Sequence, residues 1–357
     1  MAAKKIIVVG AGIIGASIAW HLAKAGAKVT LLSEGEPGGV ATPNTFAWIN
    51  ASWGNPRAYF RLRTRSMREW SRLAKDLPGL PLAWTGGLLW DMPKAGLEAY
   101  CAEHMAWGYD IRMVGPDEMR RIEPNLAGVP ALAVHAAWEG AVEPVPAVRA
   151  LIADAERLGA AVRTGVHVIG LTKTGGGIAG VETSAGPLVA DEVVVAAGAA
   201  TPAIAAMAGV EIPLETPPGL IVHSKPHGRL LNGLVMADRL HMRQTQEGRI
   251  IAGSDFGGSD PGSDPHAAAR DLFATLQASL RGGVRLEFDF HTVGYRPTPT
   301  DGFPIVGRAE DMAGLYLAVM HSGMTLAPAV GLFASGELLK GEEEPLLAPY
   351  RLARFRH

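Results

Sequence analysis

Cysteine is nearly absent: Cys101 stands alone among 357 residues, which excludes an internal disulfide and fits a reducing compartment. No apolar run approaches the ~18 residues that cross a bilayer. The first such run, residues 6–9, is too short for a secretion-signal core, so a cytoplasmic location is expected. Charge of one sign is not in excess either. Lys and Arg number 33 against 35 Asp and Glu, a formal net charge of −2, which argues against nucleic acid or an anionic membrane as partner. The eleven histidines are scattered, so no metal site is expected, and no nucleophile elbow supports a hydrolase. Internal repeats and low-complexity segments are missing.

What remains is the composition of a globular protein, 48% hydrophobic and 19% charged, with 44 glycines concentrated where the backbone turns or approaches a ligand. The length suggests two domains. Residues 5–9 read as a buried strand, 10–15 as a Gly-rich turn, 16–25 as a helix stopped by Gly26, and 29–32 as a second strand. Such a βαβ unit builds a parallel sheet. A long amphipathic helix is expected over 57–77, its apolar stripe of Phe60, Met67, Trp70, Leu73 and Leu77 forming core, with Arg and Lys between. Residues 82–138 look mixed, with short strands such as 87–90. Further helices are expected at 146–158, 266–280 and 326–340, and strands at 161–171, 178–183, 192–196, 219–224, 240–243, 249–253 and 314–319, with a hairpin turn at 175–177.

Gly10, Gly12 and Gly15 form a GxGxxG turn between strand and helix, with Ile14 in the first helical turn. The first glycine allows the tight turn, the second lets backbone approach a pyrophosphate, and the third permits close packing of helix on strand. This predicts a dinucleotide without deciding between NAD(P) and FAD. The ribose-binding acid is displaced: Ser33 ends the second strand and Glu34 follows it, and either can serve. No arginine lies close behind, which argues against a 2′-phosphate.

Residues 38–44 (GGVATPN), 193–198 (VVVAAG), 294–307 (GYRPTPTDGFPIVG) and 321–328 (HSGMTLAP) follow in order. Together with the glycine turn, they resemble the D-amino-acid oxidase, glycine oxidase and sarcosine oxidase family of flavoproteins from residue 5 to about 340. The resemblance implies an α/β fold: a Rossmann-like FAD-binding domain (1–80, 139–212 and 291–357) and a mixed, largely antiparallel β-sheet substrate domain (81–138 and 213–290). It implies that Thr42 and Asn44 lie beside the pyrophosphate and flavin edge, and that Val168 holds the adenine end through its backbone. Ala197 and Gly198 would lie beneath the dinucleotide, while Ser322, Gly323, Met324 and Thr325 turn helix N–H groups toward the flavin. Arg296 would grip a substrate carboxylate, a task suited to a bidentate, permanently charged guanidinium. His241 and His321 would stand near the substrate, where an imidazole can hydrogen-bond or move a proton. Trp48 and Asn50 are further lining candidates, and Asp301 a turn-stabilising residue.

With no cysteine at 294 and no histidine between Glu36 and Trp53, the FAD is expected to be noncovalent. Ile251 stands where sarcosine oxidases carry an oxygen-activating lysine, leaving the electron acceptor open. The implied activity is oxidation of the C–N bond of a small amino acid or secondary amine, by hydride transfer from the α-carbon to flavin N5 and hydrolysis of the imine. The rivals are a flavin dehydrogenase for an opine, imino acid or hydroxy acid with a non-oxygen acceptor, and a flavin-binding accessory subunit. Homo-oligomer and membership of a larger complex both stay open.

Overall fold

The computed structural model describes residues 3–52, 54–254 and 260–356. Two large sheets organise it. The first has six strands in the order Ile305–Arg308, Leu315–Val319, Glu192–Val195, Lys5–Val9, Lys28–Leu32, Ala161–Arg163. All pairings are parallel except that between Ile305–Arg308 and Leu315–Val319. The strand Lys5–Val9 is buried beyond its first residue, as a strand covered on both faces must be. One face carries the helices Ile13–Lys24, Pro144–Arg157 and Gly323–Lys340 in the larger core; the other packs Ile7, Val9, Val193 and Val195 in a second cluster.

The second sheet has eight strands drawn from residues 87–136 and 218–295, ordered Phe288–Tyr295, Pro218–Ser224, Ile250–Gly253, Leu240–Gln244, Leu234–Ala237, Gly87–Leu89, Ala133–Ala136, Ile111–Val114. Its pairings are antiparallel apart from Leu234–Ala237 with Gly87–Leu89. The helix Pro265–Ala278 covers one side through Ala269, Leu272 and Leu276. The strand Phe288–Tyr295 runs through the expected boundary at 290/291 and delivers Arg296 from the second sheet directly to the cavity.

Local expectations met the structure with instructive differences. The first helix begins at Ile13, three residues earlier than the periodicity suggests, because Thr42 Oγ1 accepts the Ile13 N–H from across the turn at 3.3 Å. The last helix begins at Gly323 rather than 326, set by the left-handed backbone of Ser322 (φ 59°). Residues 82–138 contain two helices that the mixed pattern concealed, Lys94–Ala106 and Pro116–Ile122. The hairpin lies as expected, with Gly175 and Gly176 both at positive φ between Val168–Thr174 and Gly177–Thr183. No helix among the described residues is long and apolar enough to cross a membrane.

Candidate active site

The helices Ile13–Lys24 and Gly323–Lys340 cross in close contact and bring their N-termini together. A β-carbon at Gly331 would strike the Ser17 side chain, and Ser17 Oγ donates to the Ala327 carbonyl at 2.7 Å. Neither helix has a capping side chain at its N-cap position, so two positive dipole ends open on one cavity. That cavity has a volume of about 1300 Å³, larger than the ~300–1,000 Å³ of an ordinary small-ligand pocket. It runs from the ends of the parallel strands to the face of the eight-stranded sheet.

At the first end, the three glycines have separable reasons. Gly10 has φ 107° and lies against the Ala196 carbonyl, and a β-carbon on Gly15 would collide with the carbonyl of Gly10. A β-carbon on Gly12 would meet Thr42 Oγ1 at 3.5 Å and the Gly38 carbonyl oxygen at 3.8 Å, both ordinary contacts, with extended backbone at ψ −179°. The protein itself therefore explains Gly10 and Gly15. Gly12 is left to a ligand, and the cradle fits a pyrophosphate laid on the helix N-terminus.

Ser33 and Glu34 both line this end, with Val166, His167 and Val168. Ser33 is buried; its N–H donates to the Arg163 carbonyl and its own carbonyl accepts the Val166 N–H, which leaves its hydroxyl for the cavity. Glu34 is exposed and pairs with His167 Nδ1 at 3.3 Å. Ala197 and Gly198 (φ 57°) line the floor. Thr42 and Asn44 lie on the loop above Gly12, Asn44 Nδ2 donating to the Val40 carbonyl at 2.9 Å. A β-carbon on residue 294 would sit 2.7 Å from the Asn44 carbonyl oxygen, so Gly294 lets that loop dock on the second sheet.

At the far end, Ser322, Gly323 and Met324 line the wall and Ile14 packs beside Gly323. Thr325 is outside the lining. Its hydroxyl donates to the Trp48 carbonyl at 3.2 Å and accepts from Asn50 N–H at 3.3 Å, so it fastens the helix to the Trp48–Ile49 strand rather than facing a ligand. Trp70, fully buried as core, adds a bond from Nε1 to the Met324 carbonyl at 2.8 Å. Trp48 and Asn50 both line the cavity, and the Trp48 indole donates to the buried carboxylate of Glu139.

Arg296 lines the same end, its guanidinium lying against the backbone of Gly219. His321 lines it too, its Nδ1 3.0 Å from Ser322 Oγ. Burial, then the positive charges of Arg296 and Arg63, drive the His321 pKa down to about 4, so the imidazole is neutral near pH 7. His241 also lines the cavity. Nε2 is 3.0 Å from the buried Asp91 carboxylate and Nδ1 has no accessible surface. Ile251 is buried outside the lining. Asp301 accepts the Phe303 N–H at 3.0 Å and pairs with Arg354 at 2.7 Å, a turn-stabilising residue.

Two residues at this end escaped the sequence reading. Tyr59 and Arg63 rise from the helix Arg57–Asp76 and line the cavity. Arg63 falls between Phe60 and Met67, on the apolar stripe, and an arginine interrupting that stripe was the available signal.

A nucleotide-binding α/β oxidoreductase is the class this fold and cavity define. The model of the FAD dependent oxidoreductase family matches residues 5–335, and the chain belongs to that family. It is an enzyme, and FAD is its cofactor. A glycine oxidase of Bacillus licheniformis is 28% identical over 338 residues, covering 91% of this chain and 90% of that protein. An opine oxidase component from Agrobacterium tumefaciens is 26% identical over 370 residues, covering 98% of this chain and 96% of that protein. Among solved structures, an L-proline dehydrogenase from P. horikoshii superposes with a TM-score of 0.87 at 26% identity, covering 99% of this chain and 98% of that one.

Proposed function

We propose that the chain oxidises the C–N bond of a small amino acid or secondary amine, with FAD held noncovalently. The observation that carries this reading is the polarity of the cavity. Its only carboxylates among the described lining residues, Glu34 and Glu36, follow the second strand, while Arg63 and Arg296 occupy the opposite end. A nucleotide ribose suits the first and a substrate carboxylate the second. The names of the glycine oxidase and opine oxidase relatives support an amine of this kind.

Bound FAD supplies the hydride acceptor. The protein supplies geometry: Arg296 anchors the carboxylate, and the sheet residues Leu220, Ile221 and Gly253 close the wall behind it. Neutral His321 acts as a hydrogen-bonding neighbour, and no base is required where the amine binds uncharged. The imine product leaves to hydrolyse in water.

Anaerobic absorbance titration of the yellow protein against glycine, D-amino acids, sarcosine, proline and iminodiacid-type amines tests this. Bleaching of the flavin band by one of them supports it, and the speed of recolouring in air separates oxygen from another acceptor. A flavin that no amine bleaches would refute it in favour of a hydroxy acid substrate or an accessory subunit.

A further inference from the structure

Arg63 is a charge buried without an ionic partner. Its Nε donates to the Asn50 carbonyl at 3.0 Å, its Nη1 to the Tyr59 hydroxyl at 3.4 Å, and its Nη2 to Asn50 Oδ1. All three acceptors are neutral, and no carboxylate ion-pairs with it among the described residues. Glu139 feels its charge but is outside the cavity lining. That carboxylate is committed to Trp48, Ser52 and Tyr109, and burial lifts its pKa to about 7. A buried guanidinium left in this condition is costly unless something supplies the counter-charge. Three of its five N–H donors are used, and the side chain lines the cavity.

Arg296 lines the same cavity, and both charges bear on His321. One substrate carboxylate satisfies one guanidinium. The other remains, at an end where no described lining residue is acidic. We propose that Arg63 binds a second carboxylate of the substrate, which is therefore an amino or imino diacid. This rests on the amine-oxidation reading for its chemistry but not for its binding.

The test uses the FAD holoenzyme and non-oxidisable acids, following the perturbation of flavin absorbance by acetate, malonate and succinate. In parallel, kcat/KM is compared for glycine and sarcosine against aspartate and iminodiacetate. A dicarboxylate should bind at least about tenfold more tightly than acetate, and Arg63→Gln should cost dicarboxylates about 10- to 100-fold, the scale of a charged hydrogen bond, and monocarboxylates clearly less. Asn50→Asp places a carboxylate of the same size against Arg63 and should give the same selective loss, so a folding defect in Arg63→Gln does not decide the matter. Malonate and succinate binding no better than acetate would overturn the proposal. So would equal losses for both acid classes, or a shifted flavin potential with unchanged selectivity, which would assign the charge to the cofactor. If no amine bleaches the flavin while dicarboxylate selectivity holds, the amine reading falls and the diacid site stands.

Discussion

Replacing Gly12 by alanine should separate cofactor binding from folding. The added β-carbon makes only ordinary contacts, with Thr42 Oγ1 at 3.5 Å and the Gly38 carbonyl oxygen at 3.8 Å, and residue 12 has φ −74° and ψ −179°, a conformation open to any residue. Loss of chain entropy in the unfolded state favours alanine by ~0.4–1 kcal/mol, while alanine is the poorer N-cap by a similar amount. The two effects nearly cancel, so the apoprotein should melt within about 2 °C of the parent. In the holoprotein the same methyl group occupies the space assigned to a pyrophosphate and screens it from the helix N-terminus. Losing one or two charge-assisted hydrogen bonds at ~1.5–3 kcal/mol each predicts FAD affinity reduced at least about tenfold. Gly15→Ala is the contrast: its β-carbon collides with the Gly10 carbonyl, so the apoprotein itself should lose its fold. Differential scanning calorimetry of the apoproteins and titration with FAD by flavin fluorescence measure both quantities. A Gly12→Ala protein that binds FAD with parental affinity would refute the placement of the pyrophosphate; one whose apoprotein is strongly destabilised would make Gly12 structural.

Arg296→Ala should weaken carboxylate substrates by several kcal/mol, the scale of truncating one partner of a buried charge pair, and unchanged steady-state kinetics would remove it from the site. His21 is buried, receives a bond from Arg72 at Nε2 (3.2 Å) and gives one from Nδ1 to the Ser17 carbonyl (2.8 Å), which fixes the neutral ring; burial above all lowers its pKa from 6.5 to about 4. The unfolded chain thus takes up a proton below pH 6.5 that the folded chain refuses until about pH 4. Stability should therefore fall across that window as pH drops, by up to about 1.4 kcal/mol per pH unit from this group. His21→Asn should flatten the urea midpoint between pH 7 and 4.5, and an unaltered slope would exclude His21 as the source. Gly331→Ala forces the helix crossing apart at Ser17 and should cost about 1–3 kcal/mol in urea unfolding, as overpacked cores do; a neutral result would mean the two N-termini are not held together there.

The elements legible along the chain are those whose cause is local. A tight turn needs Gly10 wherever it occurs, and alternation or helical spacing reports burial of one face, so the βαβ unit, the 57–76 helix and the Gly175–Gly176 hairpin were readable to within a few residues. Arg296 could be named because its Gly-Tyr-Arg-Pro setting is contiguous. The eight-stranded sheet could be expected only in outline, because its order depends on pairings such as Leu234–Ala237 with Gly87–Leu89, nearly 150 residues apart. No local pattern encodes such a register.

Side-chain direction was hidden for the same reason. Thr325 was expected at the ligand, but the Trp48 carbonyl takes its hydroxyl; His241 lines the cavity with its Nε2 against Asp91. Arg63 lies on the apolar stripe of its helix, but only the segment through Asn50 folding against it shows that it is buried. Sequence by itself determined the nucleotide turn and the fold class and singled out Arg296 as a cavity residue, because each rests on residues close in the chain. Tertiary structure alone decided which charges lie buried beside the cavity and which polar atoms face it, because burial is a property of packing between distant segments.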